Sequence, residues 1–201
     1  MPMTATILET GQTFPVRKRI PEDVRKEYVR QSELLADSRL DTDADWAEPE
    51  IEAHLKIAQY LFFEGSNFCS TVLVNSALTC RPNKFFRRGG NEGVDESPKG
   101  KYMPRLISAF DKRIIKRLPS LYHVSDQEKT DFGWNVHDQI CYYRAFVSGN
   151  TRTARLQMNQ VRLILGLDLL VVPATDSKEY KARYRAFRDR QYAAKTHRML
   201  F

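Results

Sequence analysis

Arg144-Ala145-Phe146-Val147-Ser148-Gly149-Asn150-Thr151-Arg152-Thr153-Ala154-Arg155 is the stretch on which the reading of this chain turns. It sets a short glycine-containing loop directly before a helical segment that carries two arginines. With Asn150 and Thr151 opening that helix, their backbone N–H groups have no intrahelical acceptor, and the positive end of the helix dipole adds to the field an anion would feel. Arg152 and Arg155 stand three residues apart, on neighbouring positions of one helical face, from which they can reach the outer phosphates of a nucleotide. Gly149, Asn150, Thr151, Arg152 and Arg155 are therefore the candidate phosphate-binding residues.

Outward from the loop the pattern is helical on both sides. Upstream, Ser125 and Glu128 form a capping-box signature with Val124 ahead of it, and Phe132, Val136, Ile140 and Tyr143 make one apolar stripe that should end close to residues 147–149. Downstream, residues 150–165 predict a helix packed through Ala154, Met158, Val161 and Leu165 and stopped by Gly166. Pro173 breaks the next apolar run, and residues 176–192 predict a terminal helix with Tyr180, Tyr184 and Phe187 spaced for packing.

Further upstream, Leu106, Ile107, Phe110, Ile114 and Ile115 define an amphipathic helix with a basic outer face over residues 105–118. Before it, Pro82, Gly89, Gly90, Gly93, Pro98, Gly100 and Pro104 punctuate two short extended pieces, 84–88 and one near Val94, which predict a small hairpin. Residues 51–78 read as two helices, or one bent helix, broken near Gly65-Ser66-Asn67. Pro21 opens a helix carrying Val24, Tyr28, Val29, Leu34 and Leu35, preceded by an irregular arm. The expected fold class is mainly α with one small β-hairpin, with an arm and helix over 1–50 and the principal domain over 51–201.

Composition narrows the function classes. The 201 residues are 42% hydrophobic and 11% aromatic, as suits a globular domain rather than a disordered chain. No run approaches the roughly 18 apolar residues of a membrane span, and the first residues lack the basic start and apolar core of a signal peptide. The expectation is a soluble cytoplasmic protein, or one that works in a host cell if translocated, with no membrane partner. Cys69, Cys80 and Cys141 are odd in number and lack CxxC pairing, which predicts reduced thiols rather than disulfides or a zinc site. A formal charge of +7 admits nucleotide phosphates, an acidic protein surface or nucleic acid, but the basic residues are interleaved with acidic ones and no recognition motif for nucleic acid accompanies them.

From about Tyr60 to Tyr192 the chain resembles the Fic domain of the Fic/Doc superfamily. That family's motif is a helix ending in His-Pro-Phe, then a variable residue, Asp or Glu, Gly-Asn-Gly-Arg, two residues and a final Arg. Phe146, Gly149, Asn150, Arg152 and Arg155 match it. The order of the surroundings is similar too: Met103-Pro104-Arg105-Leu106-Ile107 before the motif, Asn83-Lys84-Phe85-Phe86-Arg87 as a flap, Arg155-Leu156-Gln157-Met158-Asn159 after it, and Ser177-Lys178-Glu179-Tyr180 further on. The resemblance implies a helical bundle with a hairpin flap near 83–95, on which Phe85, Phe86 and Arg87 would dock a target. It also implies ATP as the bound cofactor.

The departures are chemical. The family's His is a general base that takes a proton from a target hydroxyl as it attacks the α-phosphate of ATP, usually transferring AMP. Arg144 stands there, and a guanidinium stays protonated, so it cannot be that base. The Asp/Glu position, a magnesium ligand by the resemblance, is Ser148, whose neutral hydroxyl is a poor ligand for a hard dication, so magnesium is not expected to bind in the family manner. Thr151 adds a side chain where the family has a second Gly. His137 lies seven helical residues, about 10.5 Å, before Arg144 and cannot replace the base. Three departures together read as natural degeneration rather than one engineered substitution.

Many Fic proteins carry an inhibitory helix whose Glu pairs with the last motif Arg. Tyr60-Leu61-Phe62-Phe63-Glu64-Gly65 is similar, with Tyr60 in place of the hydroxyl residue. A Glu64–Arg155 ion pair is one reading; the other has Glu64 only capping a break at Gly65. The leading function is a degenerate Fic-like protein, weak or inactive in catalysis, that keeps a nucleotide or phosphate pocket and acts through an unknown protein partner. The alternatives are an active AMP-transferase with a rearranged site and a helical nucleic-acid-binding protein in which Arg152 and Arg155 meet backbone phosphate.

Overall fold

The computed structural model describes residues 20–36, 48–64, 68–79, 86 and 100–199. Among them are seven α-helices and no sheet: α1 (Glu22–Ala36), α2 (Glu48–Gln59), α3 (Thr71–Thr79), α4 (Met103–Arg117), α5 (Asp126–Tyr143), α6 (Asn150–Ile164) and α7 (Ser177–Met199). The helical periodicity read from the sequence is therefore realised along the chain. Within 51–78, α2 continues into a π-helical turn, Tyr60–Glu64, and the expected break at Gly65-Ser66-Asn67 lies outside the described residues. Most of the expected hairpin lies outside the described residues, but Phe86 makes an antiparallel bridge to Phe146.

Helix α6 is the axis of the molecule. Every residue from Thr153 to Ile164 is buried, and α5 and α6 form the most extensive helix pair. One apolar cluster joins α4, α5 and α6 through Ile107, Phe110, Ile114, Val136, Ile140, Ala154 and Val161. A second joins α1, α2, α3 and α6 through Tyr28, Ile57, Leu61, Phe62, Val74, Leu78 and Leu156. A helix with a core on each side has no solvent face, so its polar residues need internal partners. Asn159 exchanges two bonds with the Leu170 backbone, Gln157 Nε2 donates to the Cys69 carbonyl, and Arg162 donates to the Asp168 carbonyl and Thr130.

The start of α5 and the end of α6 are built as the sequence predicts, whereas α5 ends at Tyr143, short of the expected 147–149, because Arg144 turns the chain into the left-handed region. Ser125 accepts from the Glu128 N–H while Glu128 accepts from the Ser125 N–H, which completes the capping box at the start of α5. After α6, Gly166 takes φ +81°, its N–H donates to the Leu163 carbonyl and the Leu167 N–H to the Arg162 carbonyl. That double bond pattern is a Schellman stop. Cys69 and Cys141 are free thiols, and Cys80 lies outside the described residues.

Candidate functional site

The loop between α5 and α6 is held from three sides. Arg144 caps α5 in the left-handed region, at φ 44° and ψ 45°, with its N–H on the Ile140 carbonyl and its side chain exposed. The chain then turns inward: Ala145 and Phe146 are buried, and the Phe146 ring stacks on Phe86 with centroids 5.7 Å apart. Asn150 clamps the loop by accepting from the Phe146 N–H at 3.0 Å and donating to its carbonyl at 2.9 Å. From α3, Asn75 Nδ2 donates to the Ser148 carbonyl and to Thr153 Oγ1, both at 3.0 Å.

Gly149 is the N-cap of α6, at φ +73°. A Cβ there would lie 2.9 Å from Thr79 Cγ2 and 3.1 Å from Asn75 Nδ2, so both backbone conformation and space demand glycine. The first internal bond of α6 runs from the Thr153 N–H to the Gly149 carbonyl at 2.9 Å. The N–H groups of Asn150, Thr151 and Arg152 precede it, which is the geometry of a helix-terminal anion site. Thr151 is exposed at this end.

The two motif arginines meet α1 rather than open solvent. Arg152 Nη1 donates to both carboxylate oxygens of Glu33 at 3.1 Å, and Glu33 Oε1 also lies 2.6 Å from Nδ1 of the buried His54 on α2. Burial works against the Glu33 carboxylate, but hydrogen bonds from His54 and Arg152 and the charge of Arg152 hold its pKa below the ordinary value. Burial likewise pushes His54 below the usual histidine range, so at neutral pH Glu33 and Arg152 are the charged pair and His54 Nδ1–H is a neutral donor.

Arg155 is 1% exposed. Its Nε donates to Ser32 Oγ at 2.9 Å, its Nη2 to the Ser32 carbonyl and its Nη1 to Tyr180 Oη at 2.9 Å. Tyr180 Oη in turn lies 2.6 Å from His137 Nε2, and His137 Nδ1 lies 2.8 Å from Asp138 Oδ1. One proton arrangement satisfies all of these: the tyrosine hydroxyl donates to Nε2 of a neutral imidazole whose Nδ1–H donates to Asp138. Burial lowers the His137 pKa, in keeping with that neutral form.

Consecutive residues of α1, Ser32 and Glu33, thus engage the two arginines of the loop, one each. Gly149, Asn150, Thr151, Arg152 and Arg155 are all placed at or just after the start of α6, with Arg155 turned into the core. Ser148 sits beside them with its carbonyl taken by Asn75. Phe86 reaches the loop, while Phe85, Arg87 and the Glu64 side chain lie outside what the structure describes. Ser32, Glu33, His54, Asn75 and Tyr180 were not singled out as site residues by the sequence. Tyr180 carried a signal as a packing position and as the end of the family-like stretch Ser177-Lys178-Glu179-Tyr180.

Ser148, the position at which the resemblance implies a carboxylate, carries a neutral hydroxyl, a poor ligand for a hard dication. No group of three or more potential metal-ligating side chains occurs among the described residues. At the α6 terminus the first N–H groups and the Arg152 guanidinium are donors of the kind an anion takes, and the Glu33 carboxylate already stands on Arg152. No helix among the described residues is long and apolar enough to cross a membrane.

No protein-family model matches the sequence, and no curated protein does. Solved structures do match the fold. A Fic domain containing signaling protein from Bacteroides thetaiotaomicron aligns with a TM-score of 0.66 at 14% identity, covering 82% of this chain and 72% of that one. Fic-1 from C. elegans aligns with a TM-score of 0.60 at 14% identity, covering 84% of this chain and 58% of that one. The chain has a Fic-like helical fold.

Proposed function

We propose that this protein is a Fic-fold chain that has lost the transfer chemistry, keeps an anion cradle at the start of α6 and works by binding a protein partner, with Glu33 closing the cradle. The observation that carries this reading is the Glu33 carboxylate on Arg152, at 3.1 Å through both oxygens. A carboxylate in that position takes the place a phosphate oxygen would take, and a nucleotide must displace it. Arg144 at the base position and Ser148 at the metal position support loss of catalysis, since neither can take a proton or hold a dication at neutral pH. The burial of Arg155 argues against a nucleic-acid surface built on both arginines.

Calorimetric titration of ATP into the protein, its Glu33→Gln variant and the Glu33→Gln/Arg152→Ala double variant tests the cradle. The reading expects weak binding by the parent chain, binding tightened by roughly tenfold when the competing charge is removed, and loss of that gain in the double variant. Equal affinity of parent and Glu33→Gln protein would refute the closure.

A further inference from the structure

A groove of about 470 Å³ runs between α4 and α5 and shares no residue with the loop 144–155. Its floor is apolar: Phe110, Ile114 and Val136 are buried and Phe132 is half-buried. One wall is cationic, with Arg113, Lys116 and Arg117 from α4, and the other carries the uncharged amides of Asn135 and Gln139 from α5. Every exposed charged residue of α4, from Arg105 through Lys112 to Arg117, is a cation, because its only carboxylate, Asp111, is buried against α3.

The acids at the start of α5 each have a local partner, and the fully exposed Glu128 also attracts Arg117 at the end of the wall, an attraction that solvent screens. Asp126 pairs with Lys129, Glu128 is in the capping box with Ser125, and Asp131 accepts from Gln127. Arg113 is held in place by a bond to Tyr143 Oη at 3.2 Å and lies 6.0 Å from the Phe110 ring centroid. The Phe110 ring also meets the edge of Tyr143, so it is no free platform for stacking a nucleobase.

We propose that this groove binds an acidic peptide segment of a protein partner, with aliphatic side chains on the floor and carboxylates along the α4 wall. Arg113 and Arg117 are one helical turn apart, about 6 Å. Alternate residues of an extended peptide repeat at about 6.8 Å, so every second side chain can meet this wall while those between face the floor. Asn135 and Gln139 can bond the peptide backbone. The groove is independent of the cradle and would stand if the α6 terminus bound no nucleotide.

The test is fluorescence anisotropy at low salt with a labelled peptide of four Asp-Leu repeats, against a matched Asn-Leu peptide. Binding of the acidic peptide alone is expected. Lys116→Glu/Arg117→Glu should weaken it by roughly tenfold, and Lys112→Glu, on the same helix but outside the groove, by less than about twofold. Phe132→Ala, at a half-buried position, should also weaken it; circular dichroism checks that each variant is folded. Absence of binding, equal loss in Lys112→Glu, an unchanged affinity in the double variant, or displacement of the peptide by ATP or duplex DNA at concentrations below its own dissociation constant would overturn the assignment.

Discussion

Glu33 and Arg152, 119 positions apart in sequence, meet in a two-oxygen ion pair that is almost closed to solvent, with side chains 5% and 12% exposed. Because both charges are largely buried, the pair is worth less for stability than it costs to break from one side. Glu33→Ala removes a buried carboxylate that both Arg152 and His54 engage and should destabilise the fold by about 3 kcal/mol. Glu33→Ala with Arg152→Ala should recover part of that loss. A double-mutant cycle from urea denaturation measures the coupling, and simple additivity of the two single losses would show that the pair does not act as a unit.

Two left-handed residues flank the loop and should respond in opposite ways. Arg144, at φ 44°, has a side chain and little burial, so Arg144→Gly should raise stability by about 0.5–1 kcal/mol. Gly149, at φ 73°, has no room, and Gly149→Ala should cost roughly 1–2 kcal/mol from the backbone alone, with the contact to Thr79 Cγ2 added to it. Thermal melts of the two variants decide this, and a shift of the same sign in both would contradict it.

Asp111 gives the fold a titrating contact between α3 and α4. Its carboxylate accepts from the Thr71 N–H at 3.0 Å and from Thr71 Oγ1 at 2.5 Å, and burial pushes its pKa up to about 6. A raised carboxyl pKa means the folded state holds its proton longer than the unfolded chain, so stability from this group is present below the unfolded value and lost as pH rises through about 6. Relative to the parent, Asp111→Asn should therefore gain roughly 2 kcal/mol between pH 4 and pH 7. Denaturation curves at the two pH values check the sign, and a parent-variant difference that does not change with pH would show that Asp111 is not held protonated by burial.

The helices were legible because their signals are local. The capping box at Ser125 and Glu128, the stop at Gly166 and the stripe Phe132-Val136-Ile140-Tyr143 each depend on residues within a few positions of one another, and each stands where the pattern puts it. The loop was legible for the same reason: glycine at 149 and asparagine at 150 are demanded by one tight turn. What covers the arginines was not legible. Nothing local in the sequence marks Arg155, Gln157, Asn159 and Arg162 as buried: Arg155 is covered by Ser32 of α1, Gln157 by the Cys69 backbone, Asn159 by Leu170, and Arg162 by Thr130 of α5 and the Asp168 backbone. Glu33 and Ser32 look like ordinary polar positions of α1, and only the tertiary fold brings them to the start of α6.

The central claim, that the Fic-like fold persists without its transfer reaction, is tested most directly by incubating the protein with α-labelled ATP and magnesium or manganese in cell lysate and reading label on protein after denaturing electrophoresis. No transfer is expected from the chain with Arg144 and Ser148, even when Glu33→Gln has opened the cradle. Label carried to any protein by the unaltered chain, above a heat-denatured control, would contradict it.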